Sequence, residues 1–203
     1  MKIICMENEK HVQVNDLAAE NASLFWQEMC QKYAGHEINF CFHNTDVPEA
    51  FMQTIGAFKL ESCREARLTS ENFKPVDGCL PVVITKESFA GFSRLHEKRN
   101  PQMYWSSARI GADLSKWCIH RQDDSYCLMS LWGDTPEIFA LETITPHEGA
   151  MLLSAAACFA FDAGKKGILF MLDDGAEIAF EAARSTGFVI CGKYTAYRGR
   201  IPV

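Results

Sequence analysis

Lys166–Arg198 reads KGILFMLDDGAEIAFEAARSTGFVICGKYTAYR, and the fold turns on how this stretch is read. Ile168–Leu172 is an unbroken apolar run, which suits a strand covered on both faces in a parallel or central position. A short helix and a second strand follow it. The stretch has an echo in His36–Arg67, HEINFCFHNTDVPEAFMQTIGAFKLESCREAR. Ile38–Phe42 aligns with Ile168–Leu172, His43-Asn44 with Asp173-Asp174, Phe58 with Phe188, and Arg67 with Tyr197. The offset is constant apart from a one-residue slip in the helix. Self-similarity at so large a period points to a duplicated unit, because solenoid repeats are far shorter.

Around these two stretches the chain has 203 residues, room for one large domain or a domain and a half, and 48% are apolar, enough for a core. A formal charge of −6, with no basic stripe, argues against a nucleic-acid partner. The nine cysteines show no C-x-x-C and no zinc spacing. Cys41, Cys158 and Cys191 sit in apolar runs, where a thiol behaves as a small hydrophobe, and this predicts a reducing, cytoplasmic setting. The opening MKIICMENEK has too short an apolar run for a signal peptide, and Met151–Phe161 is too short to span a bilayer, so no membrane partner is expected.

Before the echo, Lys2–Cys5 can form a strand. Asp16–Ala34 is predicted as a helix with Ala18, Ala22, Phe25, Met29 and Tyr33 on one face and Gly35 just past its end. Thr45 or Asp46 can cap the next helix, with Pro48 in its first turn. Phe58–Leu68 is a strand. The polar, turn-rich Thr69–Gly78 is the candidate boundary between domains 1–69 and 70–203. A strand at Leu80–Thr85, a helix at Lys86–Lys98 stopped by Arg99-Asn-Pro101, and a short helix within Met103–Leu114 come next. Trp117–Arg121, Tyr126–Trp132 and Ile138–Thr143, separated by close turns, form an antiparallel meander. Thr145-Pro-His-Glu148 is a capping box opening a helix to Ala163, apolar nearly all round and therefore buried.

The order of elements from residue 80 to 198, with FALETITP, ILFMLDDG and the helix leading into Thr186-Gly-Phe188, resembles the GNAT superfamily of N-acetyltransferases. The first unit, Asp16–Arg67, resembles only the C-terminal half of that fold. The expected fold is thus α+β: a GNAT-like mixed sheet flanked by helices, preceded by a half-GNAT unit, the remnant of a tandem pair. The resemblance implies acetyl-CoA as co-substrate, held where the fourth and fifth strands of the full domain splay apart. It implies a small-molecule or peptide amine as acceptor. It places the cofactor against Leu141, Thr143, Ile144, His147, Glu148, Gly149, Ala150, Met151 and Asp174. The family loop Q/R-x-x-G-x-G/A is reduced here to Thr145-Pro-His-Glu-Gly-Ala-Met151. Gly149 remains, the basic residue is gone, and Glu148 puts a carboxylate where phosphate charge would gather.

The family's chemistry needs a carboxylate base and an acid for the leaving thiolate. Glu142 is the candidate base; it also reads as a solvent-facing residue of an alternating strand. The position of the usual tyrosine acid is Ala183, so Tyr194 is the candidate acid, with Tyr197 a second; both also read as strand aromatics. Asp173 and Asp174 read equally as caps of the following helix. His96, on an apolar helix face, reads as a packed core residue. His120, Asp123 and Asp124 crowd a hairpin turn that could hold a metal or simply be solvated. Trp105, Trp117 and Trp132 suit an apolar or cationic acceptor, or a plain core. Two functions are open: acyl-CoA-dependent N-acetyltransfer by direct attack of an amine on the thioester, or a catalytically inactive GNAT-like module that binds a ligand or partner. Exposed edges of the first unit call for pairing with the full domain or with a second chain in a homodimer.

Overall fold

The structure is a computed structural model and describes residues 2–6, 10–78 and 81–203. In chain order its elements are β1 (Lys2–Met6), β2 (His11–Asn15), α1 (Ala22–Lys32), β3 (Glu37–His43), α2 (Glu49–Thr54), β4 (Phe58–Leu68), β5 (Val82–Val83), α3 (Phe89–Arg99), α4 (Ser107–Ala112), β6 (Trp117–Gln122), β7 (Ser125–Ser130), β8 (Glu137–Glu142), α5 (Pro146–Asp162), β9 (Ile168–Asp173), α6 (Glu177–Ser185) and β10 (Val189–Arg200). They form two compact units: Met1–Glu65 with Cys191–Val203, and Ala66–Ile190. Each is a mixed sheet carrying helices, as an α+β reading requires. Leu80, the expected start of a strand, lies outside the described residues, and β5 is only Val82–Val83.

In unit 1, β1 and β2 are antiparallel, β2 and β3 parallel, and β3 and β10 antiparallel, with Tyr194 opposite His43 and Arg200 opposite Glu37. The core is Val12 and Val14 of β2, Ile38, Phe40 and Phe42 of β3, and Tyr197 of β10, covered by Phe25 and Met29 of α1 and Met52 of α2. The expected helix from Asp16 begins instead at Ala22, after a 3-10 turn at Ala19–Asn21. Asp16 has φ +55°, outside the helical region, and its carboxylate accepts from the backbone N–H of His43 and the Thr45 hydroxyl. Thr45 is therefore no cap for α2, whose N-cap is Pro48 without a side-chain bond.

In unit 2, β5 to β8 form the antiparallel meander, and β9 joins β8 in parallel. β7 is buried along its whole length and divides its side chains between two cores. Tyr126 and Leu128 face Phe92 of α3 and Ile110 of α4. Cys127 and Met129 face α5, whose Leu152, Leu153, Ala156 and Ala157 are fully covered. α5 is not buried all round, for Cys158 is exposed and Phe159 is 39% exposed. Cys191 is exposed as well.

The join between units lies between Glu65 and Ala66, and Cys191–Val203 packs in unit 1, where the sequence reading gave all of residues 70–203 to the second domain. Ala66 and Leu68 are fully buried in the same core as Phe170 and Leu172. Thr69–Gly78 is a strap on unit 2 and not a linker. Lys74 N–H donates to Thr186 O at 3.0 Å, and Val76 N–H to Ser154 Oγ at 3.1 Å. The strap explains Gly187: φ is +94°, and a β-carbon there would collide with the Asn72 carbonyl.

Residues 80–203 expressed alone lack Ala66, Leu68, Phe73 and Val76, all of which pack in or against that core. Truncating one buried Leu costs about 2–5 kcal/mol, against about 5–15 kcal/mol for a whole domain. That fragment is expected to melt without a cooperative transition in calorimetry; a single sharp endotherm would show that the core closes without the strap.

Candidate functional site

Between Leu128–Ala140 and Met129–Ile138 the β7–β8 register slips, leaving Phe139 as an extra residue on β8. A bulge of this kind bends its strand and sharpens the local twist. The parallel pairing of β8 with β9 covers only Glu137–Leu169 and Ile138–Phe170, so it stops where the bulge begins. Past that point the strands diverge around a cleft of about 150 Å³. Phe139, Leu141 and Glu142 form one wall and Phe170, Leu172 and Asp173 the other. Ala176 and Ala179 of α6 close one side, and Asn100 and Met103, from the α3–α4 connection, close the other.

Glu142 is held from two directions. Its Oε1 accepts from Asn100 Nδ2 at 3.2 Å, and its Oε2 lies 3.6 Å from Arg99 Nη1. Asn100 is itself fixed from the core, donating from Nδ2 to the Tyr126 hydroxyl at 2.7 Å. Behind it, His96 Nε2 faces the Trp105 carbonyl at 2.8 Å and Nδ1 faces Tyr126 Oη at 2.8 Å. A carbonyl only accepts, so Nε2 carries the hydrogen and the Nδ1 of a neutral ring accepts from the tyrosine. Tyr126 and His96 are fully buried. Burial, reinforced by the Glu142 charge, pushes the Tyr126 phenol well above its ordinary range. The chain Trp105–His96–Tyr126–Asn100–Glu142 thus leads from packed core to cleft wall.

The α5 N-terminus has a different character. Thr145 Oγ1 accepts from Glu148 N–H at 3.2 Å, and the Glu148 carboxylate reaches back to Ile144 N–H at 3.4 Å and the Thr143 hydroxyl at 3.3 Å. This is a capping box displaced by one residue. Gly149 is buried against α6: a β-carbon would lie 2.9 Å from Ala182 Cβ and 3.0 Å from Thr143 Cγ2. Ala150 and Met151 are buried, His147 is exposed on the first turn, and Ile144 is 67% exposed. Of the expected cofactor set only Leu141 lines the cleft. Asp174 is exposed in the β9–α6 turn, and the N-cap position of α6 is Ala176, neither Asp173 nor Asp174.

Tyr194 and Tyr197 belong to unit 1 and are not among the residues lining the cleft. Tyr194 donates to Cys41 Sγ at 3.3 Å, and burial raises its phenol well above the ordinary value. Tyr197 donates to Glu49 Oε2 at 2.7 Å. Ala183 is buried against the α5 side of the sheet. Trp105, Trp117 and Trp132 lie with ring centroids 5.0–5.1 Å apart, in direct contact, with Phe139 beside them. Trp117 is buried in the core with Trp105 packed against it, while Trp132 is 38% exposed. His120 is buried, with Nδ1 3.4 Å from Cys118 Sγ, and does not face the turn. Among the described residues no cluster of three or more His, Cys, Asp or Glu could hold a metal, and no helix is long and apolar enough to cross a membrane.

The sequence reading missed Asn100, Met103 and Arg99 as site residues. It had used Arg99 and Asn100 as a helix stop. Asn100 does follow α3, but its side chain serves the cleft.

No family model matches the sequence, and no curated protein does. Solved structures do. A GCN5-related N-acetyltransferase from Sphaerobacter thermophilus aligns over 99% of this chain and 76% of its own, with TM-score 0.68 and 11% identity. A GNAT-family acetyltransferase from Colwellia psychrerythraea aligns over 89% and 72%, with TM-score 0.64 and 10% identity. A tandem GNAT protein from the clavulanic acid biosynthesis pathway aligns over 99% and 78%, with TM-score 0.59 and 10% identity. The chain has the GNAT fold.

Two measurements check the interior. Tyr126→Phe strands buried His96 and Asn100 donors and acceptors and is expected to cost about 1–3 kcal/mol in urea unfolding; an unchanged midpoint would mean the network carries no stability. Burial lowers the His120 pKa from 6.5 to about 4. The folded pKa lies below the unfolded one, so the unfolded chain takes up the proton first as pH falls. Stability is complete above about pH 6.5 and declines toward pH 4, by about 3 kcal/mol at 1.36 kcal/mol per unit. His120→Gln is expected to flatten that part of the pH–stability curve.

Proposed function

We propose that unit 2 is an N-acyltransferase that moves an acyl group from a thioester to an amine by direct attack. The observation that supports this best is the β8–β9 cleft with the Glu142 carboxylate fixed in its wall. The acceptor nitrogen forms a bond to the acyl carbon, and the carbon–sulfur bond breaks with its electron pair on sulfur. The proton lost by nitrogen goes to Glu142, and solvent protonates the departing thiolate. Asn100 and Arg99 keep the carboxylate aimed at the cleft, a positioning role of the kind that general bases require. Along the β9-facing edge of β8 beyond Ile138, backbone groups without a strand partner are available to the oxyanion. Acetyl-CoA is the donor that the fold leads one to try first, and a small-molecule or peptide amine the acceptor. The recurrence of strand–helix–strand in β3–α2–β4 and β9–α6–β10 supports descent from a tandem pair.

A second reading, a module that binds without turning over, is favoured by the occupied α5 N-terminus and by the alanine at position 183. Thioester consumption with a panel of amines separates the two. With the first, Glu142→Gln is expected to lower turnover by about 10²–10⁴-fold. Its melting temperature should stay within about 2–4 °C, the shift of a 1 kcal/mol change. Turnover retained in that variant removes Glu142 from the reaction. No turnover by the natural chain, with a ligand-induced rise in melting temperature, establishes the binding module.

A further inference from the structure

We propose, resting on the acyl-transfer reading, that the donor is an acyl thioester on a pantetheine-length arm, recognised without any contribution from the nucleotide and pyrophosphate of CoA. The ground is the state of the α5 N-terminus, a helix start at which backbone donors could meet a pyrophosphate. Three positions of its first turn offer no free donor. Pro146 has no N–H, Glu148 N–H is taken by the Thr145 hydroxyl, and Gly149 N–H by the Thr145 carbonyl. On the approach to the helix, Ile144 N–H is taken by Glu148 Oε2, and the single Thr143 hydroxyl hydrogen lies between the Thr145 carbonyl at 2.9 Å and Glu148 Oε2 at 3.3 Å. A pyrophosphate placed there would have to break the capping box and then lie beside the displaced carboxylate, like charge against like.

Nothing nearby offsets that charge. Residues 143–149 contain no Lys or Arg, and the cleft lining contains none. Arg99, the nearby cation, faces Glu142. The glycine that could have let a phosphate approach the backbone instead brings α5 against α6, with Ala182 and Thr143 where its side chain would be. The cleft lining is mostly apolar, from Phe139 and Leu141 to Phe170, Leu172, Ala176 and Ala179, and its charged groups, Glu142 and Asp173, are both carboxylates. Such a lining accepts a thioester and its short amide-bearing arm, and it offers no phosphate site.

The test compares acetyl-CoA with S-acetylpantetheine on the full chain, by turnover and, independently, by calorimetric titration. The inference expects kcat/KM and Kd for the two donors to agree within about threefold, so that the nucleotide adds no uniform binding. It also expects 3′,5′-ADP at millimolar concentration to leave both unchanged. Glu148→Gln, which removes the repelling charge, is expected to raise the ratio of acetyl-CoA to S-acetylpantetheine kcat/KM about tenfold. A preference for acetyl-CoA of about a hundredfold or more in the natural chain, or competition by 3′,5′-ADP, overturns the inference and leaves acyl transfer standing. Equal binding of both donors with no turnover of either removes the acyl-transfer reading while the recognition stands. Failure of both donors to bind removes the two together.

Discussion

One extra residue in β8 decides what unit 2 can do. Without Phe139 the β7–β8 ladder would run in register, and β8 would lie along β9 for its full length. Parallel pairing satisfies the backbone groups of both strands, and a closed sheet there would leave no space for a ligand. The bulge costs ladder bonds and turns β8 aside after Ile138. The two strands then part with their backbone edges facing a common space. The residues of β8 that follow, Ala140 to Glu142, remain paired with β7, so this wall of the cleft is rigid though open.

The second constraint is polar and comes from the opposite layer. A glutamate at a strand end is ordinarily mobile, and a partly exposed ion pair such as Arg99–Glu142 contributes little on its own. Here the other carboxylate oxygen is tied to Asn100, and Asn100 to the Tyr126 hydroxyl, which is buried and hydrogen-bonded in turn to buried His96. Low dielectric makes each unmade bond in such a network costly, so the network resists rearrangement as a whole. Its anchor is the aromatic packing of Phe92, His96 and Tyr126, with ring centroids 5.1–5.8 Å apart. Packing of the first layer thereby fixes a functional group at the opening of the sheet.

These two features hold a carboxylate at the cleft, and the α5 N-terminus has a different character. The same four residues, Thr145 to Glu148, give an efficient helix start and an inefficient phosphate site. Both follow from the partial positive charge of the helix end, which a carboxylate from the chain satisfies as well as a ligand would. The glycine after them serves the α5–α6 contact. The chain thus has the strand geometry of the GNAT fold, and its α5 N-terminus is closed by its own capping box.

Much of the architecture is written in local pattern. The meander, the apolar run of β9, the bounds of β4 and the Thr145 cap follow from periodicity and turn chemistry, which depend on neighbours in sequence. Asp16 and Asp173–Asp174 resisted such reading because their backbone and partners are set at a distance, Asp16 by His43 and Thr45. The cleft was legible only as a family expectation. The residues that hold Glu142 were not, since Asn100 lies 42 positions from it and 26 from Tyr126. No spacing along the chain encodes that meeting. Sequence alone determined most of the strands and helices, though not β2, and that one carboxylate ends the fourth strand of the full domain. Only the tertiary structure decided that a bulge opens the sheet beside it, that the core aims it, and that the last strand of the chain packs with the first unit, because each depends on register and burial between segments far apart in the chain.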